Sequence, residues 1–181
     1  MAVACEPMPY TEPTRLEQLF WAHNERVLRA AYRITGNMAD AEDVAQTVFI
    51  RLAASPNERI ENPESYLYRS AINGALDLIR RRKGEVALEG VPEMFSSAPE
   101  SSPEKQLSSR ELRQWLRGAL AKLAPAAAEM FVLRYVEGHE NPEIALMMGT
   151  SRAVVAVRLH QTRAKLKKQF QAFMRGNHDP K

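Results

Sequence analysis

Cysteine is almost absent from this 181-residue chain, with Cys5 the only one. No disulfide can close within it and no cysteine-rich zinc site can form, which fits a reducing cytoplasm. His23, His139, His160 and His178 are scattered without metal-ligand spacing, so no metal is expected. Only eight glycines occur, and none builds a phosphate-cradling loop. No apolar run approaches a membrane span, and residues 1–14 lack the basic start and apolar core of a signal segment. Neither membrane insertion nor secretion is expected. No acid–base or nucleophile constellation is visible, so no enzyme, cofactor or small-molecule substrate is expected either. Strand-like alternation is missing too. A strong charge of one sign is also lacking: 25 basic against 22 acidic side chains leave a net of +3, too little by itself to indicate a nucleic-acid partner.

What is present is a pattern hidden by that average. The net charge is −3 over residues 1–62, +3 over 63–84, −4 over 85–108, +2 over 109–138 and +5 over 139–181. Two basic segments flank an acidic one. Residues 85–108 contain Ser96-Ser97-Ala98-Pro99-Glu100-Ser101-Ser102-Pro103-Glu104, which cannot hold an apolar face and reads as a flexible linker. The expected organisation is a tail at 1–14, a module at 15–84, the linker at 85–108, a second module at 109–175 and a tail at 176–181. The fold class is all-α, two small helical domains joined by a flexible acidic linker.

In the first module, Leu16, Leu19, Phe20, His23, Val27, Ala30, Ala31 and Ile34 recur at helical spacing up to Gly36. A second helix starts near Ala39, with Asp40, Glu42 and Asp43 crowding its dipole-positive first turn and Pro56 closing it. A third opens at Asn62-Pro63-Glu64. It runs along Leu67, Ala71, Gly74 or Ala75, and Leu78 to Arg80-Arg81-Arg82-Lys83. Four cations at a helix end suit the dipole alone. With Tyr66, Tyr68, Arg69 and Asn73 nearby they also suit unpaired bases, although the two tyrosines equally fit a core.

The second module begins near Arg110 and reaches a further helix at 126–136. Asn141 then caps a short helix that Pro142 starts, Gly149 supplies a turn, and Thr150 or Ser151 caps a long basic helix. Val155, Leu159, Thr162, Leu166, Phe170 and Phe173 share one face of that helix. Ser151, Arg152, Ala156, Arg158, His160, Gln161, Arg163 and Lys165 fall at its cap or on its other sides. This is the layout of a helix-turn-helix whose second helix enters a major groove.

At this point the residues resemble the bacterial extracytoplasmic-function sigma factors of the sigma-70 family. The resemblance rests on Asp40-Ala-Glu42-Asp43-Val-Ala-Gln46-Thr-Val-Phe49-Ile-Arg51, on Tyr66-Leu-Tyr68-Arg69 through Arg82, and on Phe131–Gly138 followed by Pro142–Ala145 and Gly149. It covers about 16–83 and 110–170. It implies a non-enzymatic subunit in the bacterial cytoplasm, at the nucleoid when bound to polymerase. Its partners would be core RNA polymerase, promoter DNA at the −10 and −35 elements, and an anti-sigma factor. Asp40, Glu42, Asp43, Gln46 and Phe49 would contact the polymerase. Arg59, Asn62, Tyr66, Arg69, Asn73, Arg80, Arg81, Arg82 and Lys83 would contact the −10 element, and Ser151 through Lys165 as named above the −35 element.

Departures from the family pattern are Thr47-Val48, Tyr66 in place of tryptophan, Ala153-Val154-Val155-Ala156-Val157-Arg158, and Gln161-Thr162-Arg163. Polar groups toward DNA are lost there, so an unusual −35 preference is expected. The alternative is a free-standing helix-turn-helix regulator acting on duplex DNA without polymerase. Promoter elements two helical turns apart lie roughly 70 Å from each other. A coiled linker of this length spans about 25–30 Å, and a fully extended one roughly 80–90 Å.

Overall fold

The computed structural model describes residues 13–54, 60–85 and 103–176, and within these it is helical with no strand. Helix α1 (Arg15–Thr35) is started by a reciprocal cap: Thr14 Oγ1 accepts from the Glu17 amide and the Glu17 carboxylate accepts from the Thr14 amide at 2.7 Å. Those bonds from Thr14, backbone first, hold the Glu17 carboxyl below its usual range. Gly36 ends α1 at φ +68°, where only glycine is unstrained. Helix α2 (Met38–Ala54) follows, its Asp40 amide donating to Asn37 Oδ1 at 3.3 Å. Helix α3 (Pro63–Glu85) opens with Ser65 N–H on Asn62 Oδ1 at 2.9 Å, the expected cap.

Val27, Ala30, Ala31 and Ile34 meet Ala41, Val44, Ala45 and Val48 from α2 and Leu67, Ala71 and Ala75 from α3. Alanines at the crossing points let the axes approach, and Gly74 extends this: a Cβ there would sit 3.1 Å from Val44 Cγ1. The third-helix stripe differs from expectation in one respect. Leu76 is fully buried, whereas Leu78 is only partly so. Because α3 packs against the first module on one side and the second on the other, its buried arc is wider than a single stripe.

The second module comprises α4 (Pro103–Ala121), α5 (Pro125–Tyr135), α6 (Asn141–Met147) and α7 (Arg152–Gly176). Helix α4 begins inside the segment read as linker, because Pro103-Glu104 is itself a helix start of the Pro63-Glu64 kind. Helix α3 also runs to Glu85. The remaining residues 86–102 lie outside the described residues, as do 1–12 of the tail, Pro56, Arg59 and 177–181. The short helix α6 is capped by Glu140 and not Asn141: Glu140 and Glu143 form the reciprocal box, with the Glu140 amide on Glu143 Oε2 at 2.7 Å. Gly138 (φ +81°) and Gly149 (φ +60°) make the turns on either side of α6. Val155, Leu159, Thr162 and Leu166 of α7 are buried as predicted, and Phe170 lies edge-on and Phe173 tilted against Trp115, at 5.0 and 5.9 Å between ring centroids.

The two modules touch directly, through α3 against α4 and α5. A tethered pair does not require this contact. It is polar: Arg69 Nε donates to Glu129 Oε1 at 2.6 Å, and Tyr68 Oη and Arg33 Nη1 each donate to Glu137 Oε2 at 2.6 Å. Tyr68 is therefore a core residue.

Candidate nucleic-acid and polymerase interfaces

The acidic start of α2 divides into a buried and an exposed part. Asp40 is 5% exposed, and both its oxygens accept from the Arg82 guanidinium of α3. Phe49 is 8% exposed and lies edge-on to Phe20 of α1 at 4.9 Å. In this arrangement these two hold helices together instead of facing a partner. A carboxylate in a first turn and an aromatic on a helix carry no mark of what lies across from them. Glu42, Asp43 and Gln46 are exposed. Asp43, Gln46 and Ile50 follow one another at helical spacing on one face, and Ile50 is 61% exposed. Sequence reasoning missed Ile50, although an isoleucine off the buried Val44–Val48–Leu52 period was the available signal.

The −10 candidates spread over the length of α3. Asn62 is spent on capping the helix, and Tyr66 is half-buried against the core. Arg69 is committed to the second module, with Nη1 also donating to the Met147 carbonyl at 2.6 Å. Asn73 is half-buried, Arg81 is exposed, and Arg82 is engaged by Asp40. Arg80 Nη1 donates to Asp77 at 2.6 Å while its buried Nη2 has no partner. Arg80 and Arg81, with Arg51, Asp43 and Asp77, line an open cleft of about 430 Å³ between α2 and α3. Arg59 lies outside the described residues, and so does the side chain of Lys83. The structure thus gathers Arg80 and Arg81 into one cleft of mixed charge shared with Asp43 and Asp77, sets Arg82 against Asp40, and separates Arg69 from all three.

On α7, Ser151 Oγ accepts from the Val154 amide at 3.3 Å, the expected cap. Arg152, Ala156, Arg158, His160, Gln161, Arg163 and Lys165 are all exposed. They do not form one surface. Arg158, Gln161 and Lys165 line a concavity facing the α4–α5 turn. His160 and Arg163 line a different groove, with Trp115, Phe131, Tyr135 and Phe170, and the Arg163 guanidinium lies 6.0 Å from the Tyr135 ring centroid. A single helix in a groove cannot present both flanks to the same base edges. Val154 and Val157, at 40% and 56% exposure, stand on the outward face of the helix.

Comparison with known proteins fits this division into two modules. Residues 19–85 match the Sigma-70 region 2 model and residues 113–166 the Sigma-70, region 4 model. The chain is 35% identical over 154 residues to the ECF RNA polymerase sigma factor SigE of Mycolicibacterium smegmatis, across 83% of this chain and 60% of that protein's length. It is 30% identical over 159 residues to the ECF RNA polymerase sigma factor SigW of Bacillus subtilis, across 82% of this chain and 84% of the relative. A solved structure of CnrH in complex with the cytosolic domain of CnrY shares the fold, with a TM-score of 0.51 at 22% identity, covering 87% of this chain and 88% of that one. A free-standing regulator has no need of the region 2 module, and that alternative is not favoured. The chain belongs to the sigma-70 family of RNA polymerase sigma factors, in its extracytoplasmic-function branch.

Proposed function

We propose that this protein is an alternative promoter-recognition subunit: it binds core RNA polymerase, carries it to particular promoters and helps open the −10 element. The observation that carries the reading is the ordered pair of modules, the second with an exposed, capped basic helix held by an apolar spine. Glu42, Asp43, Gln46 and Ile50 form the polymerase-facing part of α2, while Asp40 and Phe49 position it. Arg80 and Arg81 hold promoter backbone, and bases leaving the stack lodge near the start of α3. Capturing them stabilises the open state at a cost of a few kcal/mol per extruded nucleotide. No bond is made or broken by this chain, and the polymerase performs the chemistry. The protein works in the bacterial cytoplasm, at the nucleoid when bound to polymerase. The domain limits of the sequence reading, adjusted to place α4 with the second module, follow the same assignment.

CnrH was solved with the cytosolic domain of CnrY. A sequestering anti-sigma factor is the further partner we propose. The assignment is tested by co-purification with core polymerase. Asp43→Ala with Gln46→Ala should reduce association at least tenfold while leaving the fold intact. Undiminished assembly of the double variant would remove α2 from the polymerase contact.

A further inference from the structure

We infer that the recognition helix reads thymine through an apolar face centred on Val157. The buried side of α7 is defined by Val155, Leu159, Thr162 and Leu166. At about 100° per residue Val157 points almost directly away from that stripe, with Val154 beside it. Both lie in the first two turns, the part of a recognition helix that reaches base edges. They share an open concavity with Arg158, Gln161 and Lys165 on α7 and with Leu123, Ala124 and Ala127 at the α4–α5 turn, so the apolar patch is bordered on the helix by groups suited to phosphates and base acceptors. An exposed valine there gains little in water. In a major groove the matching apolar group is the C5 methyl of thymine. Burying one methyl contact corresponds to about a fourfold change in binding.

This inference rests on the −35 assignment to α7, and the test separates the two. A promoter selected from a random library with the full chain and core polymerase would have each −35 thymine replaced singly by deoxyuridine, which removes only the methyl. Run-off output at limiting holoenzyme is expected to fall about fourfold at one or two positions. With Val157→Ser, output should start lower and be insensitive to the same replacements, with thermal unfolding unchanged. Wild-type output indifferent to every uridine, with a scrambled −35 element still inactive, would overturn the thymine reading alone. Output indifferent to the scrambled element would overturn the −35 assignment as well.

Discussion

Asp40 opens α2 where a carboxylate favours the helix dipole, and it also receives both arms of Arg82 from a helix 42 residues away. The pair is asymmetric, because Asp40 is buried and the Arg82 side chain is 45% exposed. Removing the arginine strands a buried carboxylate, whereas removing the carboxylate leaves an arginine that water can reach. Arg82→Ala should therefore cost about 1–3 kcal/mol in urea unfolding, and Asp40→Asn clearly less. The reverse order would contradict the packing described. Tyr68 offers a pH test at the same scale. Burial first, and then its bond to Glu137, raise the phenol well above the ordinary tyrosine value of about 10. The protonated phenol is the favoured form in the folded state. Its contribution is complete below about pH 10 and is lost as the pH rises through the higher folded value. In an ultraviolet titration one tyrosine should ionise after the others, and Tyr68→Phe should abolish that late step. What Asp40 and Phe49 do, and which carboxylate Tyr68 meets, was hidden in the sequence for one physical reason. A helical period shows which face is apolar but not which distant side chain meets it.

Helices are the scale at which the sequence was most legible. Caps and stops are local chemistry, so Gly36, Asn62, Gly149 and Ser151 act where their residue types predict. The first four residues of the α7 stripe, Val155, Leu159, Thr162 and Leu166, are buried, while Phe170 and Phe173 are half-buried against Trp115. Misreadings occurred where an element has two neighbours or where composition outweighed a cap. Leu76 is buried because α3 is covered on two sides, and Pro103 starts a helix within a stretch read as tether. Ser151→Ala should cost about 1 kcal/mol of thermal stability, and Gly149→Ala about 1–2 kcal/mol because its φ of +60° is left-handed. Arg158→Ala and Gln161→Ala should leave stability unchanged and alter the −35 preference. A selection that returns the same −35 sequence for both variants would remove these side chains from base reading.

For the whole molecule, the charge pattern acquires a physical sense once the modules are placed. The acidic first segment contributes both an internal ion pair and an exposed face on α2, and the basic third-helix end splits between Asp40 and open surface. Among the expected −10 cations of α3, Arg81 is exposed, so Arg81→Ala is the cleanest probe of phosphate contact. It should flatten the salt dependence of promoter binding by about 0.7–0.9 in logarithmic slope, and an unchanged slope would place Arg81 off the DNA. The contact between modules was not legible, because the Arg69–Glu129 and Arg33–Glu137 pairs join residues 60 and 104 positions apart. On the function proposed above, one small chain gives a polymerase its promoter. The most direct test of that role is run-off transcription by core polymerase with and without this protein, on templates from a promoter library. Transcripts with defined starts that need the chain, and fall when either the −10 or the −35 element is scrambled, are the predicted result. Duplex binding by the protein alone, with no chain-dependent transcript on any template, would contradict it.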